Sequence, residues 1–432
     1  MIREPTGNLT RADASECWTA TQPLEIEVFD FLSFDHVHLP FNEGYLRILK
    51  AAYPDDRVSF HADKGHVERL APRVVDLTDI TFTACKPFET PFGLSHHNPF
   101  AGRWTAHQCL SAVARHIAER CVRLTVLLGF NASLLAVIGH RWPTISSGPL
   151  HMILHSQLGE AMEWRSRNPV IRATDLVSQL RRRLPPPVRI VALELGMKEA
   201  IAHSLPAVAP AIVTLEHPIL SSEWAANPPS APTGKVKIGF VGHARRAKGF
   251  DLFLELADRC SGADLEFHAI GHSSPETDHL DTSRLARIPS NMPLHRDEYV
   301  AALEGVDLVC LPFPGHVYDF TGSGTVSDAI AALKPLIVFR NRTMEAVFAR
   351  YGPIGWLAED RGDLLRLVGA LDRSEFVRNH PRWIANLKAI REARRPERLA
   401  ASYVASIDVT SERRHNGLQA CLSRTSIDYL LL

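Results

Sequence analysis

Short apolar runs, each followed by a helical pattern, recur along this chain in two series. The first begins at Ile26-Glu-Val-Phe-Asp-Phe-Leu-Ser33 and continues through Arg57–Ala62, Arg123–Gly129, Leu150–His155 and Val188–Leu193. Helical patterns run from Glu43 to Ala52 and from Cys109 to Arg120. The second series opens at Val236-Lys-Ile-Gly-Phe-Val-Gly242 and continues through Leu265–Gly271, Val306–Leu311 and Leu336–Phe339. Helices are expected there over Gly249–Cys260, Asp297–Leu303 and Met344–Tyr351. Apolar strands alternating with helices imply βαβ units and a parallel sheet covered on both faces. The expected fold class is α/β, with two doubly wound, Rossmann-like domains facing a central cleft.

Between the series lie His217-Pro-Ile-Leu and Asn227-Pro-Pro-Ser-Ala-Pro-Thr-Gly234, a composition suited to an extended linker. The expected division is a first domain over residues 24–217, a linker over 218–235 and a second domain over 236–380. Residues 381–432 are read as C-terminal helices, Trp383–Arg391 and Arg398–Ser406 parted at Pro396, placed to cross back onto the first domain. Residues 1–23 are polar and irregular and are expected to be poorly ordered.

Charge narrows the partners. Lys plus Arg total 48 and Asp plus Glu total 48, so no global field points to nucleic acid. No apolar run approaches the ~18–20 residues of a membrane span, and Met1-Ile-Arg-Glu-Pro-Thr lacks the apolar core of a secretory signal. The cysteines at 17, 85, 109, 121, 260, 310 and 421 are scattered, with no Cys-x-x-Cys pair. They read as reduced thiols of a cytoplasmic protein without a zinc site. Twenty-one histidines include no His-Glu-x-x-His, and no metal site is assigned.

Two loops carry the chemistry. Gly322-Ser-Gly-Thr325 follows an apolar strand and opens a helix. Free amides and the positive dipole end at such a helix start can hold a phosphate. The loop Gly242-His-Ala-Arg245-Arg246-Ala-Lys248-Gly249 joins a strand to a helix in the same sheet. Its cations sit at a helix N-terminus, where the dipole disfavours them, so they read either as solvated loop residues or as ligands of an anion. Together, the backbone amides at Ser323, Gly324 and Thr325, the hydroxyls of Thr321, Ser323 and Thr325, and the cations Arg245, Arg246 and Lys248 would neutralise a diphosphate without a metal. Asp328, slightly more than a turn into the helix, would accept hydrogen bonds from ribose hydroxyls; the plainer reading is a solvated helix residue. Gly-x-x-x-x-Gly-Lys-Ser/Thr is absent, as is Gly-x-Gly-x-x-Gly at the first strand, which argues against the common mononucleotide and dinucleotide folds.

Residues 236–372 resemble the C-terminal domain of a GT-B glycosyltransferase, family 4-like. The carriers are Gly242…Lys248-Gly249 and Asp328-Ala-Ile-Ala-Ala-Leu-Lys-Pro335. The resemblance implies Lys248 on the donor diphosphate and Asp328 on the ribose. His243 stands where the family has an arginine, so Arg245 or Arg246 would substitute. Phe320 stands where the family keeps its first sugar-binding glutamate, with Asp319 adjacent. The implied activity is transfer of a sugar from a nucleotide-diphosphate sugar to a glycan or lipid-linked acceptor, with retention of configuration, no metal and no other cofactor.

The first domain resembles the family only in layout. His155, at a strand end, is the candidate to face the donor sugar; a hydrogen-bonded strand terminus is the plainer reading. Asp35 and His36, after the first strand, are candidates on the acceptor side and for a general base if the reaction inverts. The arginine-rich segment Arg165–Arg183 reads as a solvated helix, although a lipid-linked acceptor at the inner face of a membrane would also suit it. Two alternatives stay open. Ser323-Gly324, Lys334-Pro335 and Arg340-Asn-Arg-Thr343 are similar to the pattern of GT-B-fold UDP-N-acetylglucosamine 2-epimerases, and the altered carboxylates allow a non-catalytic nucleotide-sugar-binding protein.

Overall fold

The computed structural model describes residues 23–86 and 99–406, apart from 119, 156, 164, 226, 261 and 263. The expectations for residues 1–22, for Cys17 and Cys421 and for the apolar end of the chain lie outside these residues.

Seven strands form the first sheet: β1 (Glu25–Phe29), β2 (Arg57–Ala62), β3 (Ile80–Ala84), β4 (Val122–Leu127), β5 (Leu150–Leu154), β6 (Val188–Ala192) and β7 (Ile212–Thr214). Five form the second: β8 (Val236–Val241), β9 (Leu265–Ile270), β10 (Leu308–Leu311), β11 (Leu336–Phe339) and β12 (Gly355–Ala358). The orders are β3-β2-β1-β4-β5-β6-β7 and β12-β11-β10-β8-β9. All recorded pairings are parallel. The two doubly wound α/β domains expected from the sequence are present. Central strands such as β5 and β10 are buried at every position, which is why they read as unbroken apolar runs. Chain order reverses between β1 and β4 and between β8 and β10. Ligand crevices form at the carboxyl ends of strands at such reversals.

The domains share packing rather than merely facing each other. Phe320, from the second domain, is 8% exposed and belongs to the first domain's core with Leu154, Leu158 and Met197. A Cβ on Gly322 would sit 3.0 Å from Leu193. One on Gly196 would sit 2.3 Å from the Arg342 carbonyl oxygen, so the helices Leu195–Ser204 and Arg342–Tyr351 meet backbone to backbone.

The C-terminal region crosses between the domains. The helix Arg373–Ala393 lays Trp383, Ile384, Leu387 and Ile390 on the second domain. A helical stretch over residues 396–406 then inserts Leu399, Ala400 and Tyr403 into the first domain's core. The Tyr403 hydroxyl lies 2.5 Å from that of Tyr45 and 2.6 Å from His151 Nδ1. At the crossing, Arg394 is fully buried and donates to both oxygens of Glu194 at 2.8 and 2.7 Å.

Several sequence expectations are corrected. The helix expected over Trp383–Arg391 starts earlier: one helix, Arg373–Ala393, runs through Pro381. The helix expected from Cys109 begins at Pro99, and Ala132–Ile145 is a helix that the series did not contain. Cys85, Cys109, Cys260 and Cys310 are free, but Cys121 is disulfide-bonded, contrary to the reading of all cysteines as reduced. Among the described residues no helix is long and apolar enough to cross a membrane.

Candidate active site

The two loops picked out in the second domain meet. After β8 the chain turns at Gly242 with φ 103°, a left-handed conformation open to glycine. A Cβ there would lie 3.1 Å from the Thr325 methyl and 3.4 Å from Lys248 Nζ, so Gly242, Lys248 and Thr325 form one contact. Gly249, with φ 71°, brings the start of the helix Phe250–Cys260 against the Pro312 carbonyl at the end of β10. Ser323 caps the helix Gly324–Ala331, its Oγ accepting from the Val326 amide and lying 3.0 Å from Thr325 Oγ1. No atom lies within 4 Å of a Cβ built on Gly324, so the helix start opens onto free space.

The Lys248 ammonium has no hydrogen bond or ion pair among the described residues and stands 5.8 Å from the Phe313 ring centre. Burial, aided by Arg245, lowers its pKa to about 8. Arg245 also lacks an acidic partner among the described residues, and its Nε is buried without a hydrogen bond. Two uncompensated cations beside a helix N-terminus are what a bound anion would neutralise.

Other candidates of this domain are held elsewhere. Arg246 is exposed; its amide donates to Glu276 and its guanidinium lies 3.3 Å from His279, facing a separate depression lined by Arg340 and Arg361. Asp319 accepts from the Arg342 amide at 2.7 Å, at the start of the helix Arg342–Tyr351, so its carboxylate serves a helix end. Asp328 is engaged by Arg296 at 3.0 Å and by the Tyr299 hydroxyl at 2.8 Å.

The facing wall comes from the first domain and is rich in imidazoles. His155, after β5, is 5% exposed and lies 2.9 Å from the Leu128 carbonyl through Nε2. A carbonyl only accepts, so Nε2 carries the proton and Nδ1 is left as an acceptor. The ring stacks on His38 at 4.1 Å and meets Phe41 edge-on at 4.8 Å. Burial, with His38 and His217 nearby, holds its pKa well below the ordinary value. His217 is lowered to about 4 by burial. His36 is exposed and near enough to His272 of the second domain to depress it, after burial, so His36 faces that wall across the cleft. Asp35, at φ 48°, points toward Gly65 and pairs with Arg69 at 3.6 Å.

Several contributors escaped the sequence reading. Asp30 is fully buried, accepting from the amides of Leu32 and Ser33 and from Asn42, and thereby shapes the loop that carries His36 and His38. His243 stacks on His272 at 4.1 Å, forming the second domain's share of the imidazole wall. Proximity of His36 and His38 in sequence hinted at the first wall; nothing local marks His217, His272 or Arg296 as neighbours of the cleft. Among the described residues no group of three or more His, Cys, Asp or Glu is placed to hold a metal.

No family model and no curated protein matches the sequence. Solved structures do. HepE of Anabaena, in complex with UDP and glucose, superposes with a TM-score of 0.60 at 13% identity, covering 89% of this chain and all of HepE. A glycosyltransferase from Rickettsia africae gives 0.58 at 10% identity, covering 90% of this chain and 99% of its own. The apo lipopolysaccharide outer core galactosyltransferase WaaB gives 0.55 at 11%, covering 89% and 99%. With two parallel, doubly wound sheets meeting at one cleft, the chain has the GT-B fold of these glycosyltransferases.

Proposed function

We propose that this chain is a glycosyltransferase, family 4-like, that takes its sugar from a nucleotide-diphosphate donor without a metal or other cofactor. The observation that carries this reading is the meeting of Lys248 and Thr325 around Gly242, beside the open helix start at Gly324 and with Arg245 close enough to lower the Lys248 pKa, no acidic side chain being paired to either cation among the described residues. The fold it shares with HepE, which was crystallised with UDP and with UDP-glucose, supports the same reading.

In this proposal the diphosphate lies against Lys248, Arg245, Thr325 and the amides that follow Ser323. Charge growing on the departing diphosphate is stabilised by fixed cations and a helix dipole, which need little reorganisation. The ribose reaches Asp328, and the sugar extends toward the first domain. There, neutral His155 offers Nδ1 to a sugar hydroxyl; its proton is committed to Leu128, so it serves as an acceptor rather than an acid. His36 and Asp35 border the acceptor side. A glycan or lipid-linked acceptor in polysaccharide assembly, handled in the cytoplasm with retention of configuration, completes the proposal.

Thermal shift against UDP, ADP and GDP, and their sugars, tests it. A ligand at 100 times its Kd should add about 2.7 kcal/mol. Absence of any shift with all three diphosphates refutes nucleotide binding at this site. Consumption of a nucleotide sugar with no acceptor present would replace transfer by epimerisation or hydrolysis.

A further inference from the structure

The carboxylate of Asp328 is built into a line of charges that crosses from one domain to the other. Arg296 Nη2 donates to Asp328 Oδ1 at 3.0 Å, and the Tyr299 hydroxyl donates to Oδ2 at 2.8 Å. The same guanidinium donates to Glu223 Oε2, from Nε at 3.2 Å and from Nη2 at 2.7 Å. It lies over the rings of Trp224 and Tyr299, 5.2 Å from each centre. Glu223 belongs to the linker turn Ser221–Glu223 and pairs in turn with Arg73 of the first domain, which also reaches Glu43 at 2.5 Å. Arg296 is thus fixed from several sides, and Asp328 is fixed by Arg296.

A carboxylate has about four acceptor positions. Oδ2 receives both Tyr299 and, at 3.5 Å, Arg296 Nη1, whereas Oδ1 has the single donor Nη2 and keeps one acceptor position. The side chain remains 22% exposed. Asp328 lies four residues after Gly324, about 6 Å along the helix axis from the open N-terminus. An unpaired carboxylate at that distance would repel a diphosphate held at the helix start; the guanidinium beside it cancels that charge and leaves the one position on Oδ1 open.

We propose that Arg296 and Tyr299 are positioning residues that orient and charge-compensate Asp328 so that its Oδ1 accepts a hydrogen bond from a ribose hydroxyl of the donor. The proposal rests on nucleotide binding at the Lys248–Thr325 site and adds how the ribose is recognised. Arg296 touches neither diphosphate nor sugar. Its effect runs through Asp328, and Glu223 ties that effect to the linker.

Calorimetric titration distinguishes this from a purely structural role, because the readout is a ratio. The probes are UDP, ADP and GDP, each against its 2′,3′-dideoxy counterpart. The native protein should bind the best ribonucleotide at least about ten-fold more tightly than the dideoxy form, the worth of a hydrogen bond to a charged acceptor. In Arg296→Met the ratio should fall below about three-fold, and the dideoxy form should itself bind more weakly, because the uncompensated carboxylate repels its diphosphate. Tyr299→Phe, which removes one donor and preserves the packing, should give an intermediate ratio, and keeps the test available should Arg296→Met not fold. A native ratio near one overturns the role of Asp328, and a native-sized ratio in both variants overturns that of Arg296 and Tyr299. Failure of the native protein to bind any of the three ribonucleotides refutes nucleotide binding itself, and this inference with it.

Discussion

Replacing Lys248 by methionine should stabilise the empty protein while abolishing nucleotide binding. The ammonium is withdrawn from water beside Arg245, with no acid to receive it among the described residues, and its pKa drops from 10.5 to about 8. At ~1.4 kcal/mol for each tenfold change in the proton equilibrium, keeping that lysine charged near neutral pH costs the fold about 3 kcal/mol. This is an upper bound, because part of the side chain stays in contact with water. Methionine fills a similar volume against Phe313 and Thr325 without the charge. For a cooperative unit the size of the second domain, ~2–4 °C accompany each kcal/mol, so the melting temperature at pH 7 should rise by several degrees.

The pH dependence supplies the check. Between about pH 8 and 10.5 the unfolded chain binds a proton at this lysine that the folded chain has lost, so stability rises with pH across that window. The variant should lose that share of the rise and keep the share from Lys334, whose pKa burial also lowers to about 8. Differential scanning fluorimetry at pH 7 to 10, with and without nucleoside diphosphates, measures all three effects. A lower melting temperature in the empty variant, an unchanged pH slope, or a retained nucleotide shift would each refute the account of Lys248 as an uncompensated anion-binding cation.

Two further outcomes follow from the domain contacts. Phe320→Ala should cost about 3–5 kcal/mol, the usual penalty for emptying a buried aromatic site, read as a lowered urea midpoint. Arg394→Met should cost a similar ~3–5 kcal/mol, because it strands the buried Glu194 carboxylate; Glu194→Gln in the same chain should return much of the loss in the same urea titration.

The fold was legible wherever strands are buried on both faces. β5, β8 and β10 present themselves as apolar runs, and their limits fall within a residue or two of expectation. β3 was not legible, because Ile80-Thr-Phe-Thr-Ala84 is an edge strand with exposed threonines and no apolar run. Neither was the helix Ala132–Ile145, whose first turns are buried all round and so lack an amphipathic stripe. In the site, the junction of Gly242, Lys248 and Thr325 could be anticipated from two loops leaving one sheet. The engagement of Asp328 by Arg296, and of Glu194 by Arg394 across 200 residues, could not. Such pairings are set by how elements pack, and no local spacing encodes them. Phe320 shows the converse: read as a lost carboxylate, it is an apolar anchor seated in the other domain.

The crossing at Arg394 has a mechanical consequence. The chain passes between the domains twice, once through the linker and once at the end of the long C-terminal helix. These passages are bonded to each other: the Ile219 amide donates to the Arg394 carbonyl at 2.9 Å, and the Arg394 guanidinium lies 3.5 Å from Glu216. Two chain passages that are adjacent and mutually bonded, with Phe320 seated in the first domain's core, act as a pivot and oppose sliding or separation of the halves. A rotation of the halves about Arg394, Glu194 and Glu216 is the movement these contacts would permit, with its largest displacement at the rim farthest from that pivot.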